Sequence, residues 1–260
     1  MTDPVDSYLA HLAAGGASAG TVRLRRGYLA RLAGHVGGDL LGATPEQLVG
    51  FVGTPGWAPA TRQSARASVR SFYCWAVEAG LLEQDPSRRL PGVRVPAGVP
   101  HPVGEVVLEA ALAAADLEQT RMLLLGAFAG LRRAEIAAVH TSHLTPFGLA
   151  VTGKGGRQRV IPVHPLLRAA LADVPAGWVF PSYRKPGQHV TGSHVYKRLR
   201  PLLGDASPHA LRHRFATRAY QGTTDLLAVQ RLLGHSKPET TVRYTQLSPD
   251  SLAAAVAAVG

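Results

Sequence analysis

The 260-residue chain holds one cysteine, Cys74, so no disulfide can form within it and no cysteine-rich zinc site is possible. Aromatic residues make up 6% of the chain, and lysine is scarcer still. Of 28 basic residues only Lys154, Lys185, Lys197 and Lys237 are lysines, leaving 24 arginines. No apolar run approaches the roughly 20 residues of a spanning helix. The N-terminus, with Asp3 and Asp6, lacks the basic start of a secretory signal. His11, His35, His101, His140, His143, His164, His189 and His213 have no metal-ligand spacing with carboxylates, so they read as surface or structural groups and no metal is expected. A lone thiol and no leader fit a reducing cytoplasm.

What is abundant is positive charge, a formal net +11. Residues 1–99 carry 10 basic and 7 acidic side chains, and residues 100–260 carry 18 and 10, excesses of +3 and +8. Both halves favour a polyanionic partner. Residues 1–85 read as four helices: Pro4 to about Ala14, Thr21 to about Ala33, one capped by Thr44 with Pro45 and Gln47, and Ala60 to Ala79 ending at Gly80. On the last of these, Arg62, Arg66 and Arg70 recur every fourth residue opposite Val69, Phe72, Tyr73 and Ala76. Arg23 and Arg26 share a face of the second. Such a row taken alone is an ordinary solvated surface; with both helices so marked, and the motifs below downstream, phosphate contact is the stronger reading. From Pro86 to Gly104 five prolines and three glycines exclude a helix. An extended interdomain strap bearing Arg88, Arg89 and Arg94 is predicted, and about 18 such residues cover roughly 60 Å.

The second domain opens with helices near Gly104 to Ala115 and Gln119 to Ala129. Between Met122 and Val139 the charged residues are Arg132, Arg133 and Glu135, just after Gly130 interrupts the apolar run. Arg132 there can cap a helix, pair with Glu135, or face a ligand. Leu149 to Thr152 and Arg157 to Val163 are strand-like and flank Gly153-Lys154-Gly155-Gly156, predicting a hairpin. Its lysine can be a bystander of a polar turn. In a chain so biased to arginine, a retained lysine also marks a place where a proton must be given up, which arginine hardly ever does. Trp178 to Tyr183 reads as a strand, followed by a polar loop and a helix from about Ser193 to Leu202, made basic by Lys197, Arg198 and Arg200.

The densest chemistry lies from Ser207 to Tyr244. Ser207-Pro208 predicts an N-capped helix to about Tyr220, stopping near Gly222, with His209 and Arg212 on one face of its first turn. A phosphodiester is favoured beside a helix N-terminus. A second helix from about Thr224 to Leu233 ends at Gly234, placing His235 at its exit. Ser236 and Glu239 have capping-box spacing ahead of Tyr244, which sits among Thr240, Thr241, Arg243 and Thr245 rather than among core residues. Ser248 to Val259 reads as a short greasy helix.

The strings HALRHRFAT and LLGHSKPETTVRYTQ resemble the C-terminal signature of the tyrosine recombinases, the phage integrase family. AGLRRAEI and VTGKGGRQRVIPV are similar to the family's upstream segments, and SFYCWAVEAGLLEQDP resembles part of its core-DNA-binding domain. The resemblance spans nearly the whole chain and implies a mainly α fold with a small antiparallel β-sheet in the second domain. It implies a two-domain DNA clamp: a helical core-binding domain at 1–85, a linker at 86–104, a catalytic domain at 105–247, and a tail at 248–260 docking on a neighbouring protomer or packing back on its own. An additional N-terminal arm-binding domain is not expected. The implied activity is strand cleavage and rejoining through a 3′-phosphotyrosine on Tyr244. Arg132 and Arg212 would neutralise the phosphate, Lys154 would protonate the 5′ leaving oxygen, His209 would act as base or phosphate donor, and His235 would donate to the phosphate. Ser193, His194, Lys197 and Arg198 would lie at the DNA groove. Arg214 stands where many relatives carry a small hydroxyl residue and, with Arg218, can face DNA. Because the ester is conserved in the covalent link, neither ATP nor metal is required. The implied partners are double-stranded core sites, further copies of the chain (a dimer per site, a tetramer in synapsis) and a directionality factor, on a phage or mobile element in a bacterial host nucleoid. A relaxing type IB topoisomerase and a non-cleaving DNA-binding regulator stay open as alternatives.

Overall fold

A computed structural model describes residues 3–96, 101–153 and 156–234, and the chain divides into two compact units, residues 1–98 and 99–260. Among the described residues of the first unit are helices α1 (Pro4–Ala14), α2 (Ala19–His35), α3 (Pro45–Val52) and α4 (Pro59–Glu78). Their starts follow local chemistry. Asp3, Ser18 and Thr44 each accept a backbone N–H of the first turn, and Thr44 with Gln47 forms a reciprocal capping box. The apolar face of α4 (Val69, Phe72, Tyr73, Ala76) is fully buried, in a core shared with Tyr8, Leu29, Leu32 and Leu48. Tyr73, fully buried, donates to the Leu40 carbonyl at 2.7 Å, and burial pushes its pKa up.

The strap expected from Pro86 starts differently. Its first residues form a turn, Arg88 N–H donating to Asp85 and Leu90 N–H to Ser87, and Ser87 and Leu90 are buried in the helical unit. A leucine within reach of an apolar core gains more by entering it than the surrounding prolines gain by staying extended in water. Arg66 holds it there, donating to the Leu90 carbonyl at 3.1 Å.

The second unit contains α5 (Glu105–Ala114), α6 (Leu117–Ala129), α7 (Arg133–Ala137), strands β1 (Leu144–Thr145), β2 (Gly148–Thr152) and β3 (Gln158–Ile161), then α8 (Pro165–Ala172), α9 (Gly192–Leu199), α10 (His209–Thr223) and α11 (Leu226–Leu233). The strands form an antiparallel sheet in the order β1-β2-β3, with Leu149 opposite Ile161 and Thr152 opposite Gln158. The core runs through α6, with Met122, Leu123 and Leu125 at zero exposure, and gathers Leu149, Ile161, Leu167, Val195 and Leu211 around it. The mainly α architecture with a small antiparallel sheet is the one expected.

Several local expectations are corrected. Trp178 to Tyr183 makes only isolated bridges, His140 to Trp178 and Pro181 to His189, rather than a ladder. Helix α10 begins at His209 after Pro208 with no side-chain cap from Ser207. It ends at Thr224, in the left-handed region at φ 53°, rather than near Gly222, because Asp225 N-caps α11 through Ala228 N–H and the chain must reverse there. Strand β1 and helix α8 have no counterpart among the elements expected from sequence. Gly130 ends α6 at φ +62°, and a Cβ there would lie 2.4 Å from the Phe215 ring. Replacing Gly130 by alanine is expected to cost about 2–5 kcal/mol through left-handed strain and overpacking. Thermal denaturation checks this; an unchanged midpoint would contradict it.

Candidate active site

The site is built around one buried carboxylate, Glu135, 5% exposed in its side chain. Gly130 turns the chain sharply after α6, leaving Leu131 in the core and Arg132 extended as the residue before α7. Arg132 donates its backbone N–H to Glu135 Oε2 at 2.9 Å and its Nη1 to Oε1 at 2.9 Å, yet 36% of its side chain stays exposed. Capping, pairing and presentation to a ligand are therefore met by the same residue.

Arg212 reaches the same carboxylate from α10. Its guanidinium is 1% exposed and lies 3.8 Å from Glu135 Oε2. It donates at 2.6 Å to the carbonyl of Gly130 and at 2.6 Å to that of Leu233. These bonds tie the bend before α7 and the last turn of α11 to one cation. Arg159, on β3 and not among the residues read as catalytic, is the third cation. It donates Nη1 and Nη2 to Glu135 Oε1 and Oε2 at 3.1 and 2.9 Å and Nε to the Leu232 carbonyl at 2.8 Å. Desolvation alone would raise the Glu135 pKa, but the hydrogen bonds and charges of Arg159 and Arg132 outweigh it and hold the carboxyl below its ordinary range. One carboxylate thus faces three guanidiniums, an excess of two positive charges in a poorly hydrated place.

His209, at the first turn of α10, keeps an exposed edge and stacks edge-on against His213 at 4.6 Å between centroids. Its pKa is lowered, by loss of hydration and by the positive charges of Arg212, Arg132 and Arg133. Because the ring retains solvent contact, the three guanidiniums are the firmer cause. Arg133 is exposed, with its Cζ 5.9 Å from the centre of the Tyr196 ring on α9. The structure therefore brings Arg132 to Arg212 and His209, some 80 residues further along the chain. Lys154, His235 and Tyr244 lie outside the described residues, as does the 248–260 tail. Their immediate neighbours are visible: Cβ atoms built on Gly153 and Gly234 would lie 3.5 Å from Glu135 Oε1 and 3.1 Å from Arg159 Cδ respectively.

The residues read as DNA contacts divide. Arg23, Arg88, Arg89 and Arg94 are exposed, as are Ser193 and Lys197 on α9, while Arg62 and Arg70 are half-buried along α4. Others are already engaged with protein. Arg214 is the clearest correction: it is 9% exposed, donates to both Glu105 oxygens at 3.0 and 2.7 Å, and lies over the Phe128 ring. Glu105 also accepts from Arg218, and together the two arginines hold its carboxyl down to about 2. Arg198 is paired with Asp116 and Glu118, His194 approaches Glu118 at 3.4 Å, Arg26 pairs with Asp6 at 2.9 Å, and Arg66 holds the Leu90 carbonyl. The missed signal was the acids: Glu105, Asp116 and Glu118 precede Arg214 and Arg198 by some 80–110 positions, beyond any local spacing rule.

Helices α7 and α10 and strand β3 of this mainly helical unit thus bring Arg132, Arg212 and Arg159 to one carboxylate. Residues 105–250 match the profile of the phage integrase family, and the chain belongs to that family, the tyrosine recombinases. It is 34% identical to "Tyrosine recombinase XerD" of Caulobacter vibrioides, over 88% of this chain and 84% of the relative, and 36% identical to "Tyrosine recombinase XerC" of Rhodospirillum centenum, over 91% and 80%. Its fold resembles that of a XerH site-specific recombinase bound to a palindromic difH substrate in a post-cleavage complex, with TM-score 0.70, 18% identity and coverage of 93% of this chain and 80% of that one.

Proposed function

We propose that the protein is a site-specific DNA recombinase that cuts and rejoins strands through a 3′-phosphotyrosine on Tyr244. The observation that carries the reading is the convergence of Arg132 and Arg212 on Glu135 beside His209. A phosphodiester repels nucleophiles, and its pentacoordinate transition state gains negative charge; an excess of two guanidinium charges, held in place by Glu135, favours that state over the ground state. Arg132 and Arg212 supply those donors.

Tyrosine has an ordinary pKa of about 10, so the Tyr244 hydroxyl enters the reaction protonated and must release its proton during attack. His209 is suited to accept it, because the nearby cations keep its imidazole neutral near pH 7, and arrival of phosphate charge offsets them and raises its basicity. The phenolate oxygen bonds to phosphorus as the bond to the 5′ oxygen breaks, and Lys154 supplies the proton that leaves with that oxygen. His235 donates to a phosphate oxygen. A 5′-hydroxyl of a second strand then attacks the phosphotyrosine and expels Tyr244. The ester survives each exchange, so the cycle needs no external energy source.

The partners are duplex core sites, contacted by exposed Arg23, Arg88, Arg89, Arg94, Ser193 and Lys197 together with Arg62 and Arg70, and further copies of the chain, joined through the 248–260 tail. A directionality factor and action at the nucleoid of a bacterial host complete the reading. The helical unit at 1–85 is the core-binding domain and 105–247 the catalytic one. The matched relatives favour recombination over simple relaxation. Incubation with nicked duplexes carrying candidate sites tests the proposal. Wild type is expected to give a covalent adduct and joint molecules between two sites, and Tyr244→Phe to give neither while still binding. Adducts persisting in Tyr244→Phe would overturn the assignment.

A further inference from the structure

Arg159 joins three parts of the site. It approaches Glu135 with both terminal nitrogens, one to each carboxylate oxygen, in the bidentate geometry that only arginine offers. Its Nε–H reaches the Leu232 carbonyl, and the next carbonyl, Leu233, is taken by Arg212. Two successive carbonyls at the C-terminus of α11 are thereby held by two cations, where the helix dipole is negative. The Arg159 guanidinium also passes close to two glycines. A Cβ on Gly234 would come within 3.2 Å of Nη1 and one on Gly153 within 3.4 Å of the same nitrogen. Gly153 and Gly234 are the residues directly before Lys154 and His235.

We propose that Arg159 is a positioning residue of this active site, fixing the Glu135 carboxylate and, through it, the presentation of Arg132 and Arg212, while setting where the β2–β3 turn and the α11 exit begin. The inference rests on the recombinase reading above. Arg159 touches no substrate in this role. By sharing both Glu135 oxygens with Arg132 it keeps that single carboxylate from neutralising Arg132 and Arg212 fully, so their charge stays available to a phosphate. Without it, Glu135 is left to swing toward Arg212, and Gly153 and Gly234 lose a common neighbour.

The test is single-turnover adduct formation on a nicked duplex at which wild type reacts, followed against pH, with DNA affinity and thermal stability measured beside it. Arg159→Ala is expected to slow adduct formation by about 10²-fold, the order set by small misplacements of catalytic groups, with DNA affinity unchanged. Its acid limb moves to higher pH, because Glu135 loses the partner that chiefly keeps it ionised. Arg159→Lys, which retains a cation but one directed bond to Glu135, recovers part of the rate and part of the pH shift. Loss that tracks stability or DNA affinity with no movement of the acid limb, in either variant, would overturn the role. A wild-type protein that forms no adduct anywhere would instead sink the recombinase reading itself.

Discussion

Arg212→Lys slows covalent adduct formation by roughly 10²–10³-fold, the range for loss of one preorganised transition-state donor. The charge is kept, so the effect isolates geometry. Lysine offers a compact ammonium in place of a planar fork, and it cannot span the Gly130 and Leu233 carbonyls, both 2.6 Å from the native guanidinium, while facing a phosphate. DNA affinity changes much less, because most binding energy comes from other phosphates along the duplex. Rapid-quench kinetics on a nicked site, with binding measured separately, checks this. A rate within a few-fold of wild type would remove Arg212 from the catalytic set.

Glu135→Gln is expected to lower stability by about 3–5 kcal/mol, the cost of leaving buried charge without its partner. The substitution hardly changes shape but leaves Arg132, Arg159 and Arg212 facing one another without a counter-charge. Cognate DNA restores part of the loss, since a bound phosphate supplies negative charge at the same place and binding to the folded state alone stabilises it. The pH dependence has a definite sign. Glu135 has a folded pKa below the unfolded carboxylate value of about 4.3, so its contribution is full above that value and is lost as pH falls through the lowered one. In Glu135→Gln that part of the acid limb disappears. Denaturant unfolding of both proteins across the acid range measures it, and identical limbs would contradict the hub role of Glu135.

The order and type of most helices were legible because their signals are local. Thr44 with Gln47, Pro45 in a first turn, and Gly130 and Gly234 after last turns act within four residues. The hairpin was legible from the change of period around Gly153 and Gly156. Strand β1, two residues long, carries too few residues to establish a period of its own, and helix α8 is capped by His164, a residue the sequence offered only as a surface or structural group. The basic residues were readable only as a sign of charge. Arg23 and Lys197 remain exposed, whereas Arg214 and Arg198 were drawn to carboxylates that folding brings from far upstream.

By itself the sequence determined the chemistry on offer: arginine where a permanent cation is wanted, lysine retained at position 154, histidine at 209 and 235, a tyrosine at 244, and periodicities that force helices around a short hairpin. Only tertiary structure decided that Glu135 is shared by cations from the start of α7, from β3 and from α10, that Arg159 belongs with Arg132 and Arg212, and that Arg214 does not face outward. Those outcomes depend on contacts across 24, 73, 82 and 109 residues of chain. Hydrophobic burial around α6 sets which polar groups meet there, and a stranded charge must then take whichever partner the packing delivers.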